Sequence, residues 1–413
     1  MQVDGSGMQV VFTVNGPGEI SGWLYPLAHA LKALCPDISI AVCLLPCVYS
    51  TGAETSVLDW MPTIDVVCSV KQSIALITRN RLPTGMVRTK QTLVFHLGGE
   101  VALTVMLAKR LKAPIYAYTE RPFPLQWMFR KVFYSGLHKL AQRISGNRPQ
   151  VVGELMVDAA HLRRVSAHGT KDGRIMIALF PGSREYMAEF MLPYYAVIVD
   201  EFNSQRSDID WVIAKADFVR MEFLRHLQMP PQERTWPARE LRFGEAGNTQ
   251  WLETPSGNRM RILAGKEVLS LADFALTIPG TNTGEIAASG IPMIVVVPTY
   301  LGHDVPLPGI GGHLGRIPVI GRMLKLAVGR SLLRSLPLLS QPNRRAGRMI
   351  VPEFVGQGLH PQIKAALTDL LASDTQDLRN AVRDAMGMAG AAQILASEIK
   401  AFFQTEPVTR QQP

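Results

Sequence analysis

Twice along this chain a short, wholly apolar run stops at a Gly- and Pro-containing turn and gives way to a helical pattern. The first instance is MQVVFTV (8–14), then NGPGEISG (15–22), then LYPLAHALKAL (24–34). The second is RIMIALF (174–180), then PGSRE (181–185), then AEFMLPYYAVIVDEF (188–202). A strand without polar alternation is buried on both faces, which happens in parallel sheets covered by helices. Similar runs follow each instance: ISIAVCLL (38–45), TIDVVCSV (63–70), QTLVFHL (91–97) and APIYAYT (113–119) after the first, IDWVIAKA (209–216), ADFALTI (272–278) and PMIVVVP (292–298) after the second. VALTVMLAKRL (101–111) reads as a helix. A polar hinge, VSAHGTKDGR (165–174), separates the two sets. The expectation is an α/β chain of two Rossmann-like doubly wound domains facing a cleft, over 1–165 and 166–387.

The charge is uneven. Net charge is +9. No acid lies between Glu120 and Glu154, yet six basic residues do: Arg121, Arg130, Lys131, Lys139, Arg143 and Arg148. No acid lies between Asp304 and Glu353, yet eight basic residues do, from Arg316 to Arg348. These fourteen cations exceed the net charge of the whole chain, so the rest is net acidic. Both stretches are also rich in aromatic or aliphatic residues, and the first reads as a helix. Cations interleaved with large apolar side chains suit an anionic membrane surface; core-packing helices with solvated basic faces give the same pattern. No nucleic-acid motif accompanies them, so nucleic acid is not an expected partner. The four cysteines form no C-x-x-C pair, and no leader or spanning segment is evident. That composition fits reduced thiols in a cytoplasmic protein.

Ligands of doubly wound sheets bind just beyond the carboxyl ends of the strands. Four segments there carry chemistry. In GPGEISG, Gly16 and Gly18 permit close backbone approach; Glu19 is either a ligand contact or a first-turn acid, and Ser21 lies beside it. In PGSRE, Gly182 allows the turn, Ser183 reads as a cap, and Arg184 offers a bidentate fork for phosphate; a capped helix with a surface arginine is the plainer alternative. In PGTNTGEIAASG, Thr281, Asn282 and Thr283 meet a helix start and Glu285 stands in its first turn. That suits a diphosphate and ribose, or else a capping box of Asn282 with Glu285. In PNRRAGR, Asn343 sits among arginines, in a phosphate site or a polar loop. Asp208 and Asp210 form a D-x-D at the start of a strand, the wrong end for a metal-bound substrate. No metal site is expected.

Taken in order, these segments resemble the lipid-A-disaccharide synthase family of glycosyltransferases. GEISG (18–22) is similar to its G-E-x-S-G, VGELMVDA (152–159) to its V-G-H-P-x-x-D, and LFPGSRE (179–185) to its L-x-P-G-S-R. The stretch 272–297 resembles its S-D-x-x-L-x-x-S-G-T-x-x-L-E, and 341–353 its L-P-N-x-x-A-G-R-x-x-V-P-E. The resemblance implies a GT-B fold, with a helix in 388–413 returning to the first domain. It implies a UDP-sugar donor held by Arg184, Asn343 and Glu285 with Ser183, Thr281 and Thr283 assisting, no cofactor or metal, and a lipid acceptor. The sugar implied is an acylated glucosamine or a relative.

Two departures mark the acceptor side. Trp23 stands where the family has Asp. FHLGGEVAL (95–103) stands where the family carries a catalytic aspartate, leaving Glu100 or His96 to take the acceptor proton. The expected activity is an inverting, metal-independent transfer to a lipid at the inner face of the cytoplasmic membrane. A UDP-sugar 2-epimerase and a non-catalytic nucleotide-sugar-binding membrane-surface protein are the alternatives. Self-association as a homodimer is left open.

Overall fold

The structure is a computed structural model that describes residues 7–46, 52–87, 91–136, 150–163, 173–227, 237–299 and 338–405. The chain divides into two compact units. The first comprises Met1–Leu162 with Gly387–Pro413, the second Arg163–Met386.

The first unit is built on a seven-stranded sheet. Its strands are β1 (Met8–Val14), β2 (Ser39–Leu44), β3 (Val66–Cys68), β4 (Gln91–His96), β5 (Ile115–Thr119), β6 (Lys131–Tyr134) and β7 (Gln150–Val151). They lie in the order β3-β2-β1-β4-β5-β6-β7, all parallel. β1 is buried almost throughout, as its unbroken apolar run requires. The order reverses at β1, whose neighbours are β2 and β4, so the switch point lies at the carboxyl ends of β1 and β4.

The aromatic basic stretch of 121–148 was expected to be helical, and its described part, residues 121–136, is not. Residues 126–128 form a single 3-10 turn, and Lys131–Tyr134 joins the sheet as β6. Val132, Phe133 and Tyr134 favour a pleated, packed surface. The rings of Phe95 and Phe133 lie parallel at 6.3 Å, with Tyr116 edge-on to Phe133, so stacking within the sheet decides the conformation. Lys139, Arg143 and Arg148 lie outside the described residues, as do the cations from Arg316 to Arg334.

The helix Ala391–Thr405 packs on the helix Tyr25–Leu34 of the same unit. Asp158 accepts from the N–H groups of Gly390 and Ala392, at 2.7 and 3.2 Å, and so anchors the start of that helix. Lys131 bonds Glu398 at 2.6 Å, and Phe402 lies edge-on to Tyr116.

The second unit holds an eight-stranded sheet of β8 (Ile175–Phe180), β9 (Ile209–Lys215), β10 (Arg242–Ala246), β11 (Thr249–Glu253), β12 (Arg259–Ala264), β13 (Phe274–Thr277), β14 (Met293–Pro298) and β15 (Glu353–Gly356). Their order is β10-β11-β12-β9-β8-β13-β14-β15. Only the β10-β11-β12 edge is antiparallel. That edge lacks continuous apolar runs, because its strands are largely exposed or half-buried, and it escapes a search for parallel-strand patterns. The switch point falls between β8 and β13, which pair directly.

Asp208 and Asp210 have structural partners. Asp208 bonds Arg206 and Asp210 bonds Arg261, at the amino end of β9. Among the described residues no helix is long and apolar enough to cross a membrane, and no cluster of three or more His, Cys, Asp or Glu could hold a metal ion.

Candidate functional site

In the second unit the turns after β8 and β13 meet. Gly182 has φ +108, and a Cβ there would fall 2.8 Å from Ile278 Cδ1 and from Met187 Sδ. Only glycine fits, on both backbone and steric grounds. Ser183 was expected to cap the next helix. The capping position instead belongs to Arg184, in extended conformation, and its carbonyl accepts from Met187 and Ala188. Arg184 is half-buried and hydrogen-bonds the Tyr186 phenol, whose pKa burial nonetheless raises. The neighbouring Glu185 is held bidentately by Arg220, which lowers its pKa. Glu185 therefore adds little repulsion for an anion near Arg184.

The β13 turn is ordered by its own side chains. Asn282 donates from Nδ2 to Thr277 Oγ1 at 2.6 Å. Thr283 Oγ1 donates to the Gly280 carbonyl at 2.7 Å and accepts from the Gln341 N–H at 3.0 Å. Thr283 is completely buried, so it braces the turn and does not face a ligand. The alternative reading, a capping box of Asn282 with Glu285, does not form. Thr281 is the N-cap, without a side-chain capping bond. Glu285 Oε1 accepts from Arg163 Nη1 at 2.7 Å, leaving Oε2 without a partner among the described residues.

Asn343 is a correction to the sequence reading. It is completely buried in the short helix Gln341–Ala346. Its Nδ2 donates to the Val351 carbonyl at 2.8 Å and to Glu353 at 2.7 Å. Its Oδ1 accepts from the N–H groups of Ile350 and Val351, at 2.6 and 2.9 Å. No hydrogen-bonding capacity is left for a nucleotide. Glu353 was not singled out by the sequence, yet it organises this corner. Its carboxylate also accepts from the N–H groups of Leu339 and Ser340 and from the Ser340 hydroxyl. Arg344, Arg345 and Arg348 follow on this braced loop.

In the first unit the switch point is formed by the turns after β1 and β4. Gly16 precedes the helical turn Pro17–Glu19, followed directly by a π-helical turn, Ile20–Leu24. Such turns recur at functional positions. A Cβ on Gly98 would fall 2.8 Å from Glu19 Cγ and 3.2 Å from Asn15 Oδ1. Glu19 and Asn15 therefore lie against the β4 turn. Gly18 is half-buried in the same turn. Ser21 spends its hydroxyl on the Pro17 carbonyl at 2.9 Å. Gly22 abuts Met156, and Trp23 stands edge-on to Tyr118 with ring centroids 5.4 Å apart. Trp23 is thus a packing residue, and its neighbour Tyr118 donates to the buried Glu154 at 3.0 Å.

The two candidate bases separate cleanly. His96 ends β4 with Nδ1 within 3.1 Å of Thr13 Oγ1 and 2.9 Å of Thr104 Oγ1, beside the rings of Phe123 and Phe129. Burial lowers its pKa to about 4. It is a neutral packed histidine. Glu100 is exposed, two residues beyond Gly98, at the N-terminus of the helix Val101–Leu111.

No family model matches the chain. A curated relative, a lipid-A-disaccharide synthase of Granulibacter bethesdensis, is 27% identical over 224 residues. The match takes in 54% of this chain and 45% of the relative, so it spans about half the length of either protein. Solved structures align over nearly all of the chain. A UDP-GlcNAc 2-epimerase from Neisseria meningitidis, bound to UDP-GlcNAc, gives a TM-score of 0.56 at 12% identity, over 95% of this chain and 100% of that one. A glycotransferase of kitacinnamycin gives 0.51 at 14% identity, over 97% and 100%. The chain has the two-sheet α/β fold of these proteins, the GT-B architecture. Expectation and structure agree on that fold.

Proposed function

We propose that the protein is a glycosyltransferase that moves a sugar from a UDP-sugar to a lipid acceptor, in the manner of lipid-A-disaccharide synthase. The observation that carries this reading is the meeting of the Gly182–Arg184 and Ile278–Thr281 turns at a switch point. A half-buried arginine stands there, and the neighbouring Glu185 is held by Arg220. Arg184 takes the diphosphate, Ser183, Thr281 and Asn282 lie along the same rim, and Glu285 Oε2 accepts from a ribose hydroxyl. A fixed guanidinium stabilises a leaving diphosphate without a metal. Glu100 takes the acceptor proton, and Glu19 holds the acceptor at the first unit's own switch point. Direct displacement inverts the anomeric carbon. The proposed place of action is the inner face of the cytoplasmic membrane.

The test is UDP release from a panel of UDP-sugars in EDTA, with and without a lipid extract of the source organism. Lipid-dependent release with one sugar is expected. Arg184→Ala should weaken UDP binding by ten- to a hundredfold, the loss of about 1.5–3 kcal/mol for a charged hydrogen bond. Unchanged UDP affinity would remove the second unit as donor site. The epimerase reading draws on the fold likeness to the Neisseria enzyme. It requires acceptor-free interconversion of two UDP-sugars, and that product pattern would replace the transferase reading.

A further inference from the structure

The first unit carries a groove of about 400 Å³ that the proposed chemistry does not use. It lies between the end of the helix Val101–Leu111, the start of β5 and residues 127–130. Trp127, Met128 and Phe129 give it an apolar side, and Lys109, Lys112 and Arg130 a cationic one. No acidic residue lines it.

The apolar side is uncovered at Trp127, while Phe129 is buried. Trp127 is 80% exposed, and Met106, one helical turn before Lys109, is 46% exposed. The backbone shapes the rim: Leu125 and Lys112 both have positive φ, at +62 and +54, uncommon for residues with side chains. Lys109 and Lys112 make no ion pair among the described residues. Lys131 nearby is neutralised by Glu398, whereas the Arg130 guanidinium sits 5.8 Å from the Phe402 ring centroid. Lys109 and Lys112 therefore face the groove without an ion pair among the described residues, while Lys131, just outside it, is paired.

We propose that this groove docks an anionic phospholipid bilayer, with Trp127 in the interfacial layer and Lys109 and Lys112 on lipid phosphates. A soluble anion would satisfy the lysines but leave Trp127 in water. An indole beside ammonium groups is the pairing that a membrane interface accommodates, apolar body inward and charge outward. The inference stands independently of the transferase reading. The helix whose C-terminal end borders the groove begins next to Glu100. Its 11 residues span about 16 Å. Glu100 and the groove thus stand at opposite ends of that helix, so the docking surface is separate from the residue proposed to take the acceptor proton.

The test is flotation of the full chain with vesicles of phosphatidylcholine, with and without phosphatidylglycerol. Binding is expected only with the anionic lipid and should fall with added salt. At about fivefold per cation, Lys109→Gln with Lys112→Gln should lower the partition coefficient about 25-fold. Trp127→Ala should lower it about tenfold or more, from lost apolar burial. All three positions lie at the surface, so the variants should fold and bind UDP as the parent does. Equal binding to both vesicle types, or unchanged binding by both variants, would overturn the proposal. So would a lipid-independent dimer abolished by Trp127→Ala, which would assign the groove to a second copy. Failure of UDP binding alongside intact, variant-sensitive flotation would sink the transferase reading and leave the docking surface standing.

Discussion

Replacing Asn343 by alanine separates two roles that its sequence context allows, ligand contact and internal brace. The side chain bonds the N–H groups of Ile350 and Val351, the Val351 carbonyl and the Glu353 carboxylate, all without exposure to solvent. Alanine strips partners from three backbone groups and one carboxylate. Each unsatisfied buried group costs about 1–3 kcal/mol, and relaxation of the loop recovers part of that. We expect a net loss of about 3–5 kcal/mol. The second unit spans Arg163–Met386, and for a unit of that size about 2–4 °C follows each kcal/mol. The drop in Tm should be about 6–20 °C by calorimetry. UDP affinity, measured by titration well below the new Tm, should stay within about threefold of the parent, under 1 kcal/mol. Asn343→Asp should be worse at neutral pH, because it sets a second buried carboxylate against Glu353. Its deficit should shrink as the pH falls towards about 4, where carboxyls take up protons. A native-like Tm with UDP binding lost would refute the reasoning and return Asn343 to the ligand.

His96 predicts an acid limb of stability. Its folded pKa of about 4 lies below the ordinary 6.5, so the unfolded chain binds the extra proton. Stability is full above about pH 6.5 and falls by about 3 kcal/mol on the way to pH 4. Urea titrations across that range should show the slope, and His96→Phe should flatten it. His96→Phe should also keep any transferase activity within an order of magnitude, whereas Glu100→Gln should lower kcat by about 10²–10⁴-fold with UDP affinity unchanged. Gly182→Ala should cost about 2–4 kcal/mol from backbone strain and its contacts with Ile278 and Met187. Because it shifts the turn carrying Arg184, it should weaken UDP binding as well.

Most of the parallel strands at the centres of the two sheets could be read from residues alone, because burial on both faces leaves a short unbroken apolar run. Their carboxyl-end turns followed directly, and with them Gly182, Arg184 and Glu19. What resisted reading depends on partners distant in sequence. Phe133 enters a strand because Phe95 and Tyr116 await it, and no local pattern announces that. Asn343 and Thr283 look like ligand groups because their residue types suit phosphates. Only the positions of Val351, Glu353 and Gly280 show that their hydrogen bonds are already spent. His96 was ambiguous for the same reason, since the Thr13 and Thr104 hydroxyls that hold it lie on other elements.

The return of the helix Ala391–Thr405 to the first unit has a consequence for synthesis on the ribosome. The second unit is one uninterrupted stretch and can form as soon as Met386 has emerged. At that moment the first unit still lacks the helix that covers Tyr25–Leu34, and Asp158 still lacks the N–H groups of Gly390 and Ala392. The half of the protein made first is therefore completed last, and its uncovered apolar helix is the surface that a chaperone would meet in the interval.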